Sequence, residues 1–370
     1  MRTPTEHILK RVPTQESREY FEGDSMAEML SSLNLPCEHK KTVLSAQIAT
    51  YHFDLYDPTD INKIKKVSTA LAAVLHCHVT PTLSDIAHFA LILPMPRRTE
   101  HFRTVLCTKQ IAEAQQKSRL YAMLGTDINN QPVGIDIEKM PHVLIAGATG
   151  SGKSVLLNSI ISSILFNVFP TDCQFVMIDP KKVELSVYDG LPHLAVPVVK
   201  DHANAVKHLK NLCTFMDKRY ELMAQRHAKK ASDIGLSSLV VVIDELADLM
   251  LTSRFEVEEH IIRLAQLGRA AGIHLIIATQ RPTVNVITGL IKSNIPCRIA
   301  LQTASMRDSM NILDHKGAEM LTGKGDALLK LPDRVEEIRF QSAFIDTDDI
   351  ESIVKYWFME KCKSRNHIKE

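Results

Sequence analysis

The sequence predicts an α/β protein with a mostly parallel central sheet, preceded by a small α/β domain. A chain of 370 residues that is 45% hydrophobic can bury about two domain cores. Apolar runs typical of buried strands recur in its second half with helical segments between them, which indicates a parallel sheet covered on both faces. These runs occupy residues 142–146, 174–180, 239–245, 273–280, 298–303 and 326–331.

The first part of the chain contains the small domain. Residues 1–41 are polar and predict a loosely ordered arm. The segment 42–108 predicts the small α/β domain, with a strand over 43–56, a helix over 61–77 and a second strand over 88–94.

The larger domain is predicted over residues 123–345, after a linker helix over 109–122. It begins with a hairpin around an Asn-Asn-Gln-Pro turn. Two long helices are predicted over 204–228 and 256–272. The segment 346–370 predicts a C-terminal helix and tail, and we expect its single tryptophan to pack against the domain.

A glycine-rich loop follows the first strand of the parallel set. Its sequence, GATGSGKS, matches the pattern G-x-x-x-x-G-K-S. Glycines allow a tight turn whose N–H groups point at phosphate oxygens, and the next helix adds its positive dipole end. Lys153 would reach the β- and γ-phosphates of a nucleotide, and Ser154 would hold Mg²⁺. The predicted nucleotide-binding residues are Gly147, Ala148, Thr149, Gly150, Ser151, Gly152, Lys153, Ser154 and Val155.

Two carboxylates end the apolar run over 239–245. Asp244 and Glu245 would lie at the carboxyl end of a strand, where open α/β sheets bind ligands. Asp244 would hold Mg²⁺ through water, and Glu245 would polarise the attacking water. Such a pair is also a common helix cap, but its place downstream of a glycine loop favours the catalytic interpretation.

Other strand ends carry polar residues whose roles stay open. Gln280 ends a buried-type strand and would sense the γ-phosphate, although a turn forced by Pro282 also explains the pattern. Asp179 and Lys181 end another strand near the same crevice, and a structural role is equally compatible with the sequence.

Two basic positions are candidates for contacts outside the subunit. Arg269 lies near a helix end; in a ring it could enter the neighbour's nucleotide site as an arginine finger, and in a single chain it would be a solvated charge. Arg298 and Arg307 are rival candidates. Lys292 could touch DNA phosphates without reading bases, or be an ordinary surface lysine.

Composition excludes several classes of protein. The seven cysteines are scattered without a C-x-x-C pair, which favours reduced thiols over a disulfide framework or a zinc site. No apolar run reaches the roughly 20 residues of a bilayer span, and the N-terminus lacks a signal peptide's apolar core. We therefore expect a cytoplasmic protein without an integral membrane segment. The net charge of +1 argues neither for nor against nucleic acid.

With these motifs identified, the chain resembles the FtsK/SpoIIIE family of ring-forming DNA translocases. The phrases that carry the resemblance include KMPHVLIAGATGSGKSVLLNSII, FVMIDPKKVELSVYDGLPHL, VVVIDELADLM and ATQRPTVNVITGLIKSNIP. The resemblance implies a RecA-like P-loop NTPase motor that uses ATP and Mg²⁺ and surrounds double-stranded DNA as a homohexamer.

The same resemblance implies roles for single residues. Asp244 and Glu245 look like the Walker B pair and Gln280 like the sensor. Arg269 looks like a finger acting in trans, and Lys292 would face the DNA channel. We expect a DNA translocase active in chromosome partition and cell division or in mobile-element transfer. The alternative is an ATP-driven protein-secretion or assembly motor of the same fold.

The chain also departs from the family pattern. It shows neither N-terminal transmembrane helices nor the winged-helix module that reads orienting sequences, so attachment at a septum and sequence-set direction have no support in it. Met310 stands where the family commonly has arginine, and the segment before Val240 is short.

Overall fold

The computed structural model describes residues 3–10, 21–44, 48–77, 79–83, 85, 87–94 and 99–366, with side chains up to residue 361. The chain divides into two compact units. The smaller one comprises residues 13–100 and 126–131, and the larger one comprises 1–12, 101–125 and 132–370. Residues 11–20 of the predicted arm, and the last four residues of the predicted tail, lie outside the described residues.

The smaller unit is a four-stranded antiparallel sheet with two helices packed against it. Its sheet order is β1-β2-β4-β3. Phe53 and Phe89 stack in the core at a centroid distance of 5.3 Å. The elements are α1 (Gly23–Ser32), β1 (Cys37–Leu44), β2 (Ile48–Leu55), α2 (Ile64–Leu75), β3 (Thr80–Leu83) and β4 (His88–Pro94).

The small unit differs from its prediction at its start. The single strand expected over 43–56 is the end of β1 followed by β2, and the expected arm contains α1 and most of β1. Helix α1 lies in the one amphipathic stretch of the expected arm, near 20–33, and buries three of its ten residues, whereas β1 buries only Cys37. An edge strand of this kind is held by its backbone pairing with β2, which apolar content does not report.

The larger unit is built on a nine-stranded sheet in the order β6-β5-β13-β12-β11-β7-β10-β9-β8. Its elements are α3 (Phe102–Leu106), α4 (Lys109–Lys117), β5 (Tyr121–Asp127), β6 (Pro132–Asp136), β7 (His142–Ala146), α5 (Lys153–Leu165), β8 (Cys173–Ile178), α6 (His202–Gln225), β9 (Ser238–Ile243), α7 (Leu246–Leu267), β10 (Ile273–Thr279), α8 (Gly289–Asn294), β11 (Cys297–Leu301), α9 (Met306–Leu313), β12 (Asp326–Lys330), β13 (Ile338–Ser342) and α10 (Thr347–Asn366). Strands β11, β7, β10, β9 and β8 are parallel, whereas β12 and β13 pair antiparallel at one side. The predicted fold class is confirmed.

Both faces of this sheet are covered. Val143 and Ile145 of β7 belong to one apolar core, and Leu144 and Ala146 belong to the other. Strands buried on both faces read as continuous apolar runs, which is why the sequence located them. Trp357 of α10 is fully buried, as predicted, and its indole N–H donates to the Leu165 carbonyl at 3.2 Å.

Helix α7 begins earlier than predicted. The expected helix over 256–272 starts instead at Leu246, directly after Glu245, and is interrupted at Ser253 (φ −144°, ψ 54°). The six apolar residues among 246–255 are interrupted by Asp248 and by the run 252–254, so the segment before the kink is too short to establish a helical period. Among the described residues, no helix has the length and apolar character to cross a bilayer.

Candidate nucleotide-binding and catalytic site

The glycine loop joins β7 to α5 at the carboxyl edge of the parallel strands. Gly150 and Gly152 adopt positive φ values of 78° and 106°. A Cβ at Gly152 would lie 2.5 Å from the Gly325 nitrogen, and one at Gly147 would lie 2.8 Å from the Leu301 Cβ. The glycines are therefore required by both backbone conformation and close packing.

The loop carries donors suited to phosphate. The Ser151 hydroxyl is buried and has no hydrogen-bond partner in the part of the chain that the structure describes. It lies 2.8 Å from the place of a Cβ at Gly147, inside the loop. Because the first N–H groups of α5 have no intrahelical acceptors, the helix start adds further donors. This donor set fits a phosphate group.

Lys153 and Asp244 connect the loop to the end of β9. The Lys153 ammonium donates to the Asp244 backbone carbonyl and to its Oδ1, both at 2.7 Å. Each side chain is 2% exposed. Burial raises the pKa of the Asp244 carboxyl, and the neighbouring Lys153 charge opposes that rise.

Glu245 is held on both carboxylate oxygens. Its Oε1 accepts from the Thr279 hydroxyl at 2.6 Å and from the Gln280 N–H at 3.0 Å. Its Oε2 accepts from the Lys181 ammonium at 3.1 Å and from the same Gln280 N–H at 3.2 Å. The carboxylate is 1% exposed, so these partners from β8, β10 and their following loops replace solvent.

Gln280 links the glycine loop to Glu245. Its side-chain Oε1 accepts from the Thr149 hydroxyl at 3.0 Å, while its backbone N–H donates to Glu245. The structure therefore brings together the predicted residues of the loop, the carboxylate pair and Gln280.

The two residues whose roles the sequence left open have different environments. Asp179 is fully buried and accepts from the N–H groups of Lys182, Glu184 and Leu185, each at 3.0 Å, so it closes the turn after β8. Lys181 instead reaches Glu245. Sequence reasoning missed this contact, because it depends on β8 and β9 being neighbours in the sheet.

Arg269 lies at the other edge of the sheet. It is exposed and lies between α7 and β10, where Leu275 of β10 is opposite His142, the first residue of β7. The glycine loop of the same chain begins beyond the last residue of β7, about 13 Å or more away at strand spacing. Arg269 is therefore remote from the nucleotide loop of its own chain.

The two rival candidates, Arg298 and Arg307, lie in different environments. Arg298 is 8% exposed and donates to the Ile312 carbonyl at 3.0 Å and to Asp314 Oδ2 at 2.6 Å. It ties β11 to the end of α9, so the expectation that it could serve as a finger is wrong. Arg307 of α9 is exposed.

Lys292 lies on α8, a short helix in the segment predicted as a loop or short helix. Its ammonium donates to Asp314 Oδ1 at 2.7 Å, and its side chain is 24% exposed. The structure thus pairs the predicted DNA-contacting lysine with a carboxylate of its own chain.

Comparison with known proteins relates this geometry to a family. The FtsK/SpoIIIE family model matches residues 107–236 and 230–284. The chain is 36% identical over 396 residues to DNA translocase FtsK of Haemophilus influenzae, covering 96% of this chain and 74% of that protein. It is 38% identical over 378 residues to DNA translocase FtsK of Lactiplantibacillus plantarum, covering 95% of this chain and 47% of that protein. The chain spans about half the length of the latter relative.

Two solved structures share the fold. The pCW3 conjugation coupling protein TcpA, in monomer form with ATPγS, gives a TM-score of 0.61 at 25% identity and covers 90% of this chain and 99% of that one. The cytoplasmic domain of the type VII secretion ATPase EccC of Thermomonospora curvata gives a TM-score of 0.56 at 23% identity, covering 65% and 31%. The larger unit thus has the predicted RecA-like P-loop motor fold. Since a relative 36% identical is covered over 74% of its length, the chain belongs to the FtsK/SpoIIIE family.

Proposed function

We propose that this protein is an ATP-hydrolysing motor that moves double-stranded DNA. The observation that supports it most is the convergence of Lys153, Asp244, Glu245 and Gln280 at one sheet edge. The chain's relatives include proteins named DNA translocases. The same proposal includes a role in chromosome partition and cell division or in mobile-element transfer. It also includes a cytoplasmic location, where ATP is supplied.

The chain's own residues divide the work of hydrolysis. The glycine loop and Lys153 bind the phosphates of ATP. The Ser154 hydroxyl and the Asp244 carboxylate would hold Mg²⁺, which neutralises phosphate charge when bound. Glu245 orients and polarises the attacking water. Gln280 contacts both Thr149 of the glycine loop and Glu245. A change in the loop on binding or losing the γ-phosphate would therefore be passed through Gln280 to the Glu245 carboxylate.

The site is completed by a neighbouring copy. Arg269 lies at the sheet edge opposite its own glycine loop, a position that supports a role in an adjacent subunit's site. In the proposed homohexamer, duplex DNA passes through the ring. Lys292 contacts its phosphates, so the affinity for DNA falls steeply with salt.

The test is ATP hydrolysis measured with and without linear duplex DNA, together with displacement of a triplex-forming strand from that duplex. We expect strong stimulation by DNA, strand displacement that needs ATP, and a loss of at least about 100-fold in hydrolysis for Lys153→Ala. Hydrolysis that ignores DNA, with no displacement, would overturn DNA translocation and point to a protein substrate. Unchanged hydrolysis in Lys153→Ala would overturn the assigned site.

A further inference from the structure

Asp244 and Glu245 are adjacent in sequence, and each is bound by a different lysine. Lys153 of the glycine loop binds Asp244 at 2.7 Å, and Lys181 of the loop after β8 binds Glu245 at 3.1 Å. The side chains of these two carboxylates are 2% and 1% exposed, so protein groups take the place of solvent around them. The two lysines bind them from the loops that follow β7 and β8.

The remaining partners of Glu245 are neutral. The Thr279 hydroxyl donates to Oε1, and the Gln280 N–H is shared between Oε1 at 3.0 Å and Oε2 at 3.2 Å. Neither group carries a charge, and Oε2 is reached by Lys181. Lys181 therefore supplies what the two neutral donors lack, a cation on the second oxygen.

The position of Lys181 is built into the fold. Asp179 closes the turn after β8 through three backbone N–H groups, which fixes the loop that carries Lys181. The Lys181 ammonium also lies 3.6 Å from Asp248 in the first turn of α7. Burial lowers the pKa of Lys181, but the hydrogen bond and charge of Glu245, with Asp248, outweigh burial and leave that pKa raised. The lysine is charged at neutral pH.

We propose that Lys181 is a positioning residue that holds the Glu245 carboxylate in its orientation through Oε2, and that it contributes to the rate of hydrolysis and not to nucleotide affinity. This inference rests on the proposed role of Glu245 in polarising the attacking water. It assigns a task to the Asp-Pro-Lys turn in which Asp179 shapes the loop and Lys181 acts through Glu245.

The first experiment compares Lys181→Met, Lys181→Gln and Lys181→Arg in the full chain with duplex DNA. Single-turnover hydrolysis and the affinity for ATPγS are measured for each. We expect a 10- to 100-fold lower rate for the Met and Gln variants, ATPγS affinity within about twofold of the parent, and substantial rescue by Arg. The control is Lys182→Met, the exposed neighbour on the same turn, which should hydrolyse ATP at the parent rate.

A Gln variant at the parent rate would overturn the requirement for charge, and a loss of ATPγS affinity in place of rate would assign Lys181 to nucleotide binding. Folding of each variant is checked by the fluorescence of Trp357, the single tryptophan. If the Met variant does not fold, the Gln and Arg variants give the same comparison.

The second experiment is a double-mutant cycle with Glu245→Gln. If Lys181 acts through Glu245, then Lys181→Met added to Glu245→Gln lowers the single-turnover rate no further. Losses that multiply would show that Lys181 acts independently, and would overturn the inference. A Glu245→Gln variant as fast as the parent would instead overturn the role of Glu245 in the proposed function. An inactive Glu245→Gln beside a fully active Lys181→Met would overturn only the inference.

Discussion

Lys153 and Asp244 form a buried ion pair, so the stability of the protein depends on both members being present. Removing one member of such a pair leaves an uncompensated charge and costs about 3–5 kcal/mol. We expect Lys153→Met to lower the free energy of unfolding of the nucleotide-free protein by about 3 kcal/mol at neutral pH. Adding Asp244→Asn should restore most of it. Denaturant unfolding followed by Trp357 fluorescence measures both values.

The pH dependence gives a control for this prediction. Burial already raises the pKa of Asp244, and loss of Lys153 removes a group that opposes that rise. The instability of Lys153→Met should therefore shrink as pH falls and Asp244 takes up a proton. Equal instability of the single and double variants at every pH would contradict the charge explanation.

Lys292, which we propose to contact DNA, is held in place by groups of its own chain. Its ammonium is held by Asp314, which also binds Arg298. Burial would raise the pKa of Asp314, but the hydrogen bonds from these two cations outweigh burial and lower it below its usual range. The Lys330 ammonium also lies 3.4 Å from Asp314 Oδ2, so one carboxylate holds three cations near α8 and the cluster keeps a net positive charge.

If Lys292 contacts DNA, its loss reduces the number of phosphates neutralised. We expect Lys292→Ala to reduce the slope of log affinity against log salt by about 0.9 for each subunit that contacts the duplex. Fluorescence anisotropy of labelled duplex at several salt concentrations, with a nucleotide analogue present, measures this slope. Lys355→Ala on the exposed side of α10 is the matched control. An unchanged slope in Lys292→Ala would remove this residue from the DNA surface.

At the scale of elements, the helices and strands that were predicted correctly are those whose residues form a clear local pattern. Strands β7 to β11 are buried on both faces, so their apolar runs and the glycine loop after β7 were visible in the sequence. Strand β1 and the first turns of α7 were not, because a mostly exposed edge strand and a short helical segment that ends at a kink lack a diagnostic period. The contact of Lys181 with Glu245 depends on the order of strands in the sheet, which no local pattern encodes.

Buried histidines make the larger unit sensitive to acid. Burial lowers the pKa of His142, at the start of β7, to about 3, and those of His274, on β10, and His193 to about 4. Below pH 6.5 these imidazoles are protonated in the unfolded state but stay neutral in the folded state. Falling pH therefore favours unfolding. We expect each histidine to cost about 1.3 kcal/mol between pH 7.5 and 5.5, or about 4 kcal/mol together.

Denaturant unfolding across this pH range tests the expectation. His274→Asn should reduce the fall in stability by about a third. His227→Asn, which replaces an exposed histidine, should leave the fall unchanged. If His274→Asn keeps the full pH dependence, the buried imidazoles are not its source.

At the scale of the whole molecule, the parallel sheet separates the two parts of the proposed shared site. The glycine loop and the carboxylate pair lie at the carboxyl edge of the strands, and Arg269 lies at the opposite edge. If Arg269 completes a neighbour's site as proposed, the subunits must meet head to tail, and such contacts close into rings when the rotation permits.

This arrangement predicts the behaviour of mixed assemblies. Arg269→Ala and Lys153→Ala should each abolish DNA-stimulated hydrolysis when assayed alone. In an equal mixture, an Arg269→Ala subunit supplies an intact Lys153 and its Lys153→Ala neighbour supplies the arginine, so a quarter of the interfaces contain a complete site. We therefore expect mixing to restore hydrolysis to at most about a quarter of the parent rate. If Arg269 acted within its own chain, each variant would lack one group in every site. Mixing would then restore no hydrolysis. An Arg269→Ala protein as active as the parent would show that this arginine is not part of the site.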